Sequence, residues 1–217
     1  MSDLSQAIFA LARIGPGGAQ PLGTAFACGP RHVVTCLHVT GGDDQNLIII
    51  PPRLSSLSDY QDTTDMSLQP AQVKIVAADP IHDLCVLEVP LEADWSFSYQ
   101  IMSADAVQPG SPVTTFGFPH ADSGRVVLTR QDTTVGARIL TGNPQIKSKH
   151  LILNVQARPG QSGGPVFDAA SGNVVAVLAG SYAAGGGGQI SLGGVDPATL
   201  HTTTQAISAE YITGMVP

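Results

Sequence analysis

The chain reads as an all-β fold, on three observations. Short runs rich in Val, Ile, Leu and Thr, most of them four to eight residues long, recur between turn signals along the sequence. They are punctuated by 24 Gly and 16 Pro, the composition of a turn-rich β protein. Helical periodicity is thin throughout. Apolar residues make up 43% of the chain and charged residues 12%, which excludes a disordered chain, charged and poor in apolar side chains. A length of 217 residues suffices for a sizeable core, as two small domains or as one sandwich or barrel fold.

The elements follow in order. "DLSQAIFALARI" (3–14) fits two periods: Leu4, Ile8 and Leu11 stand at helical spacing, while Ile8, Ala10, Ala12 and Ile14 alternate as in a strand. "GTAFAC" and "HVVTCLHV" read as strands, with Gly29-Pro30 between them marking a hairpin. "NLIIIPP" is the next strand, and the polar residues 53–70 form a long surface loop. "AQVKIVAA", "LCVLEVP", "SPVTTFGF", "GRVVLTR", "HLILNV", "PVFD" and "NVVAVLAG" supply the remaining apolar strands. The glycine-rich stretch 183–194 reads as a mobile loop, and "SAEYITGMV" (208–216) as one or two closing helical turns. No internal repeat and no linker divides the chain.

Charge and cysteine content narrow the partners. A formal net charge of −7 with no basic run argues against nucleic acid, whose phosphates require clustered Lys and Arg. No apolar run approaches the roughly 20 residues of a membrane span, and "MSDLSQAIFALARIG" lacks the pattern of a signal peptide. Cys28, Cys36 and Cys85 are odd in number and at no metal-like spacing. They are expected to be reduced, buried thiols of a cytoplasmic protein, and a zinc site using His82 and Cys85 is the weaker account.

The chemistry gathers around "RPGQSGGPVFD" (158–168), where Ser162 stands in a glycine-rich bend before an apolar strand. Alone, this segment fits a flexible turn as well as a nucleophile. A serine hydroxyl attacks only when a base takes its proton and an acceptor holds that base in one tautomer. His38, closing "VVTCLHV", and Asp83, at the mouth of "LCVLEVP", supply both groups. The chain order is His38, Asp83, Ser162, with spacings of 83−38 = 45 and 162−83 = 79 residues. A buried carboxylate needs a partner, and a histidine N–H serves. Asp79, before Pro80, is the rival carboxylate but is more easily a turn residue.

These segments resemble a known family. "TCLHV" resembles the TAxHV box, "HDLCVLEV" the DLAVL box and "PGQSGGPVFD" the GNSGGP box of trypsin-like serine peptidases. The resemblance is greatest to the bacterial branch that includes the HtrA proteases. "GTAFAC", "TTFGFP" and "TTQAISAEYI" fit that branch too, so the likeness spans roughly residues 7–213. It implies a chymotrypsin-like pair of antiparallel β-barrels, about 5–102 and 103–208, split near residues 100–105 and followed by a short helix at about 208–215. It implies peptide-bond hydrolysis through an acyl-enzyme, with Ser162 as nucleophile, His38 as base and then acid, and Asp83 orienting His38. The backbone N–H groups of Gly160 and Ser162 are the implied oxyanion hole, and no metal or organic cofactor is implied. Cys36 and Cys85, where the family has alanine, read as packing residues behind the triad.

The resemblance places one wall of the primary pocket at Gln156 and Ala157 and the other at Ala179, Gly180 and Ser181, with Thr202 to Thr204 near its base. None is a carboxylate, so the residue before the scissile bond is expected to be small or medium and uncharged rather than basic. His201, if turned inward, favours an acidic residue instead. "ARIGPGG" (12–18) is like the activation site of digestive zymogens. There, however, the new N-terminus pairs with an aspartate just before the catalytic serine, and here Gln161 holds that place. Cutting after Arg13 is therefore expected to play no part in activation. The chain is competent as translated, or waits on a partner that orders residues 159–162. The expected partners are protein or peptide substrates, one or a few proteins and among them a dedicated effector. The alternative is a catalytically silent binding module on the same fold.

Overall fold

The computed structural model describes residues 4–65, 67, 69–90, 97–121, 126–142, 144–182 and 203–217, and the side chains of Ser181 and Tyr182 also lie outside the description. The expectations for 183–194, His201 and Thr202 therefore fall outside the described residues.

Two antiparallel β units carry the fold. The first is a seven-stranded sheet in the order β5-β4-β1-β2-β3-β7-β6, built from β1 (Ile8–Gly15), β2 (Gly18–Gly29), β3 (His32–Cys36), β4 (Leu47–Ile50), β5 (Ala71–Gln72), β6 (Lys74–Asp79) and β7 (Leu84–Glu88). Its edge strands β5 and β6 are consecutive in the chain, separated by the fully buried Val73 alone. The sheet thus curls into a half-barrel whose two edge strands are joined through that one residue, without pairing with each other. The second unit is a closed barrel in the order β10-β13-β12-β11-β8-β9. Its strands are β8 (Pro112–Gly117), β9 (Thr129–Gly142), β10 (Lys147–Leu153), β11 (Pro165–Asp168), β12 (Val174–Tyr182) and β13 (Thr203–Ser208).

The ambiguous N-terminal segment resolves as a 3-10 turn, Leu4–Ala7, followed by strand β1. Pairing decides it: β1 lies between β2 and β4, so Ile8 to Ala12 are buried on both faces, and a helix would leave the ladders of both neighbours open. The hairpin through Pro30 and Arg31 is present, with Gly29 opposite His32. Residues 53–65 carry bends and no strand, as their polarity implies, and the closing helical turn is the 3-10 segment Ala209–Ile212.

Two strand expectations change. Of the described part of "GRVVLTR", Val126 to Leu128 are not strand; β9 begins at Thr129 and runs on through the polar "TRQDTTVGARILTG". Only Val135 of that strand is fully sequestered, so it lacks the apolar run that marks an interior strand. "HVVTCLHV" stops being a strand after Cys36. Leu37–Thr40 form a single helical turn, α1, closed by Gly41 in the left-handed conformation at φ 65°. Leu37 and His38 donate their backbone N–H groups to Asp83 rather than to a neighbouring strand.

Candidate active site

Asp83 organises the first half of the site. It adopts φ 54°, a left-handed conformation that aspartate tolerates better than most residues, at the entrance to β7. From there its carbonyl accepts the Leu37 N–H at 3.0 Å and Oδ1 accepts the His38 N–H at 2.9 Å. Its second oxygen, Oδ2, lies 2.5 Å from His38 Nδ1. The carboxylate therefore fixes both the start of α1 and the imidazole that α1 carries. Facing an ionised carboxylate, Nδ1 carries the ring proton, which leaves the lone pair on Nε2.

The second half is the bend before β11. Arg158-Pro159-Gly160-Gln161 is a tight turn closed by Gln161 N–H to Arg158 O at 3.1 Å, with Gly160 at φ 91°. Proline second and positive-φ glycine third are what a type II turn requires. No other residue fits at 160, because an added Cβ would stand 2.3 Å from the Phe118 carbonyl. Each carbonyl oxygen from Arg158 to Ser162 has a donor: Gln161 N–H, His120 N–H on Pro159 (2.8 Å), the Thr24 hydroxyl on Gly160 (2.8 Å), Gly164 N–H on Gln161 (3.0 Å) and Thr24 N–H on Ser162 (2.9 Å). Among the described residues, the N–H groups of Gly160 and Ser162 are the two in this turn with no acceptor. Two uncommitted N–H groups beside a serine hydroxyl are what an oxyanion hole consists of.

Gln161 holds the turn from inside. Its buried side-chain Oε1 accepts the Arg158 N–H at 2.8 Å, and its Nε2 donates to Gln131 Oε1 of β9 at 2.7 Å. Sequence reasoning saw in Gln161 only a missing charge. Gln131, in a polar stretch with no apolar period, offered no signal.

The two halves converge on β12. The ladder between β12 and β13 shifts register between Leu178 and Gly180, and such a bulge re-aims the carbonyls beside it. The Cys36 thiol donates to Leu178 O at 3.4 Å, and the Ser162 hydroxyl donates to Ala179 O at 3.0 Å. Among the described residues no hydrogen bond joins Ser162 to His38. Cys36 Sγ also lies within 4.8 Å of ligand atoms of His38 and Asp83, the one group of metal-ligand type among the described residues. Its chemistry does not suit an ion: the imidazole and carboxylate are bonded to each other, and burial, reinforced by Asp83, pushes the Cys36 thiol well above its ordinary range. Burial raises Cys85 to about 11 and Cys28 to about 12. All three are free cysteines; Cys36 and Cys85 are buried and Cys28 is partly so.

The sequence profile of the trypsin-like peptidase domain matches residues 23–177, well over half of the chain. The chain belongs to the trypsin-like peptidases. It is a serine endopeptidase by family, and its structural neighbours are proteases. The active form of the Rv3671c protease from M. tuberculosis superposes with a TM-score of 0.67 at 19% identity, over 98% of this chain and 80% of that one. The MamO protease domain from Magnetospirillum magneticum gives 0.67 at 16% identity, over 99% and 97%. The HtrA-type protease AlgW, with a tripeptide, gives 0.67 at 19%, over 98% of this chain and 60% of that one. No curated protein matches in sequence.

Of the residues expected to line a primary pocket, Ala179 and Gly180 stand beside Ser162 Oγ. Gln156 is exposed and Ala157 buried. Thr204, on β13 and fully buried, accepts the Ala157 N–H at 2.7 Å and donates to Val155 O. Gly180, at φ 138°, would place an added Cβ 3.3 Å from Ser162 Oγ, and the backbone of Ser181 pairs with Thr204. A groove lined by Leu4, Leu57, Phe116 and Phe167 among others holds none of these residues. Among the described residues no helix is long and apolar enough to cross a membrane.

Proposed function

We propose that this peptidase cleaves peptide bonds through an acyl-enzyme on Ser162. Ser162 Oγ attacks the scissile carbonyl carbon while His38 Nε2 takes its proton. The carbonyl oxygen becomes an oxyanion on the Gly160 and Ser162 N–H groups. The tetrahedral adduct collapses, the C–N bond breaks, and His38 returns the proton to the leaving amine. Water then repeats the sequence and frees the acid. Asp83 keeps Nδ1 protonated and stabilises the imidazolium. The observation that carries this reading is the pair of N–H groups without acceptors in a turn where every carbonyl is engaged. The bond from Ser162 to Ala179 is a resting rotamer, and attack requires the hydroxyl to exchange that carbonyl for His38, an adjustment usual in unliganded sites.

Specificity for a small or medium uncharged residue before the scissile bond is supported by the lack of a carboxylate among the described residues expected to line the pocket, Gln156, Ala157, Ala179, Gly180 and Thr204. The Thr204 hydroxyl is uncharged and already engaged by the Ala157 N–H and Val155 O. Competence as translated is supported at the N-terminus. Arg13 and Ile14 lie inside β1, and the Arg13 guanidinium bonds Asp43 Oδ2 and the carbonyls of Thr40, Asp43 and Gln45. Cleavage there would require unzipping the strand. We place the enzyme in the cytoplasm, acting on one or a few partner proteins, which the free thiols and the risk of indiscriminate proteolysis support. A serine-directed fluorophosphonate tests the chemistry: wild type is labelled and Ser162→Ala is not. Equal labelling of both, or none of the folded wild type, overturns it. A cleavage profile dominated by Arg or Lys overturns the specificity.

A further inference from the structure

The turn carrying the two free N–H groups is held from the other half of the molecule by one side chain. Thr24 lies on β2 of the first sheet and is fully buried. Its hydroxyl accepts the Phe118 N–H at 3.2 Å and donates to Gly160 O at 2.8 Å. Its backbone N–H donates to Ser162 O at 2.9 Å, and its carbonyl accepts the Thr35 hydroxyl at 2.8 Å. A hydroxyl has one proton, so with Phe118 N–H pointing at its lone pair the donation to Gly160 O is fixed in direction. Contact is close: a Cβ added at Gly163 would sit 2.1 Å from Thr24 O, at φ 86°.

We propose that Thr24 is a positioning residue of the oxyanion hole, holding the Gly160 and Ser162 peptide planes so that the N–H groups of both residues stay free for substrate. The proposal rests on the peptidase reading above. The physical reason is the conformational freedom of Gly160. A glycine at positive φ crosses to other backbone conformations easily, and the Gly160 C=O and N–H hang on the same α-carbon in adjoining peptide planes, so anchoring the carbonyl fixes ψ of Gly160 and with it the angle between the plane that carries its N–H and the rest of the turn. The Gly160 carbonyl is the handle on that angle, and Thr24 grips it. A β-branched side chain, restricted at χ1, suits the task better than a flexible one. Gln161 and Gln131 brace the same turn from the barrel side, so Thr24 is what makes its geometry depend on the first sheet.

The test compares Thr24→Val, which keeps the shape and removes the hydroxyl, with Thr24→Ser, which keeps the hydroxyl. The readouts are kcat and KM on a peptide substrate, inhibition by a peptide boronate that mimics the tetrahedral oxyanion, and binding of a product peptide. Removing an oxyanion donor outright costs about 100- to 1,000-fold, so misaiming one is expected to lower kcat of T24V by about 10- to 100-fold. Boronate affinity falls by a similar factor, KM and product binding stay within about threefold, and T24S stays within about threefold of wild type throughout. If T24V does not reach the folded state, Thr24→Ala is read by the same criteria. Unchanged kcat in a folded hydroxyl-less variant overturns the proposal. So does a loss of kcat without loss of boronate affinity, or a T24S variant as impaired as T24V. Wild type that fails to react with fluorophosphonate overturns the peptidase reading instead.

Discussion

Two His–Asp pairs share the turn at residues 79–83, with the same 2.5 Å contact between ring Nδ1 and carboxylate, and they differ in everything else. Asp79 and His82 are three residues apart. Asp79 Oδ1 also accepts the N–H groups of Ile81 and His82, and the His82 ring stacks on Tyr211 at 3.7 Å. The side chains of His82 and Asp79 are 17% and 25% exposed. Asp83 and His38 bridge 45 residues, with 49% of the histidine side chain and 38% of the carboxylate exposed. The first pair closes a turn and is covered by an aromatic ring. The second leaves a ring edge open beside β12, where Ser162 is bonded. A His–Asp hydrogen bond is thus not in itself a catalytic device. What differs is exposure of the histidine side chain, 17% for His82 against 49% for His38, and under the proposed mechanism a serine for it to serve.

Substitutions at the two pairs sharpen the contrast. His38→Ala is expected to lower kcat by about 10⁴-fold or more, and His82→Ala by less than about threefold. Steady-state cleavage of a general protein substrate reads this, and equal losses at both sites remove the distinction. Asp83→Asn comes next, at about 10³- to 10⁴-fold, because an amide facing Nδ1 favours the wrong tautomer; Asp79→Asn should leave kcat within about threefold. Gly160→Ala, which adds a Cβ 2.3 Å from Phe118 O at a positive φ, should cost about 100-fold in kcat with the fold retained, checked by activity beside thermal unfolding.

The smallest effect is on stability and depends on pH. Asp79 is partly buried, which pushes its pKa up, but the hydrogen bonds from the His82 ring and from the His82 and Ile81 N–H groups outweigh this and hold it below the ordinary 3.8. A carboxylate with a depressed folded-state pKa contributes stability that is present above the ordinary value and lost as pH falls through the lowered one. Wild type should therefore exceed Asp79→Asn by about 1 kcal/mol at neutral pH, a figure discounted for the exposure of the pair. The gap should close once acid protonates the native carboxylate. Urea titrations at neutral and strongly acid pH measure it, and a gap that persists in acid would show that the carboxylate's charge is not what stabilises the turn.

Much of this was legible in the chain. Apolar runs such as "NLIII", "LCVLE" and "NVVAVLAG" are interior strands, and burial leaves no other use for them. Pro159 and Gly160 specify their turn because each restricts or permits φ in a way few residues do. His38, Asp83 and Ser162 were singled out because serine-nucleophile chemistry demands those side-chain types, and the structure joins two of them, His38 and Asp83. The tertiary structure alone decided the rest. It placed the polar strand β9, whose pairing comes from backbone groups that every residue carries. It turned Leu37 to Thr40 into a helix, because Asp83, 45 residues on from His38, offers acceptors that a strand neighbour would not. It gave Asp79 its own partner, His82, and so made good the preference for Asp83 that the sequence had already expressed. And it brought Thr24, Gln131 and Gln161 onto one turn. Each is an ordinary polar residue in sequence, and a hydrogen bond's worth lies in which group it meets, which only the closing of one sheet against the other determines.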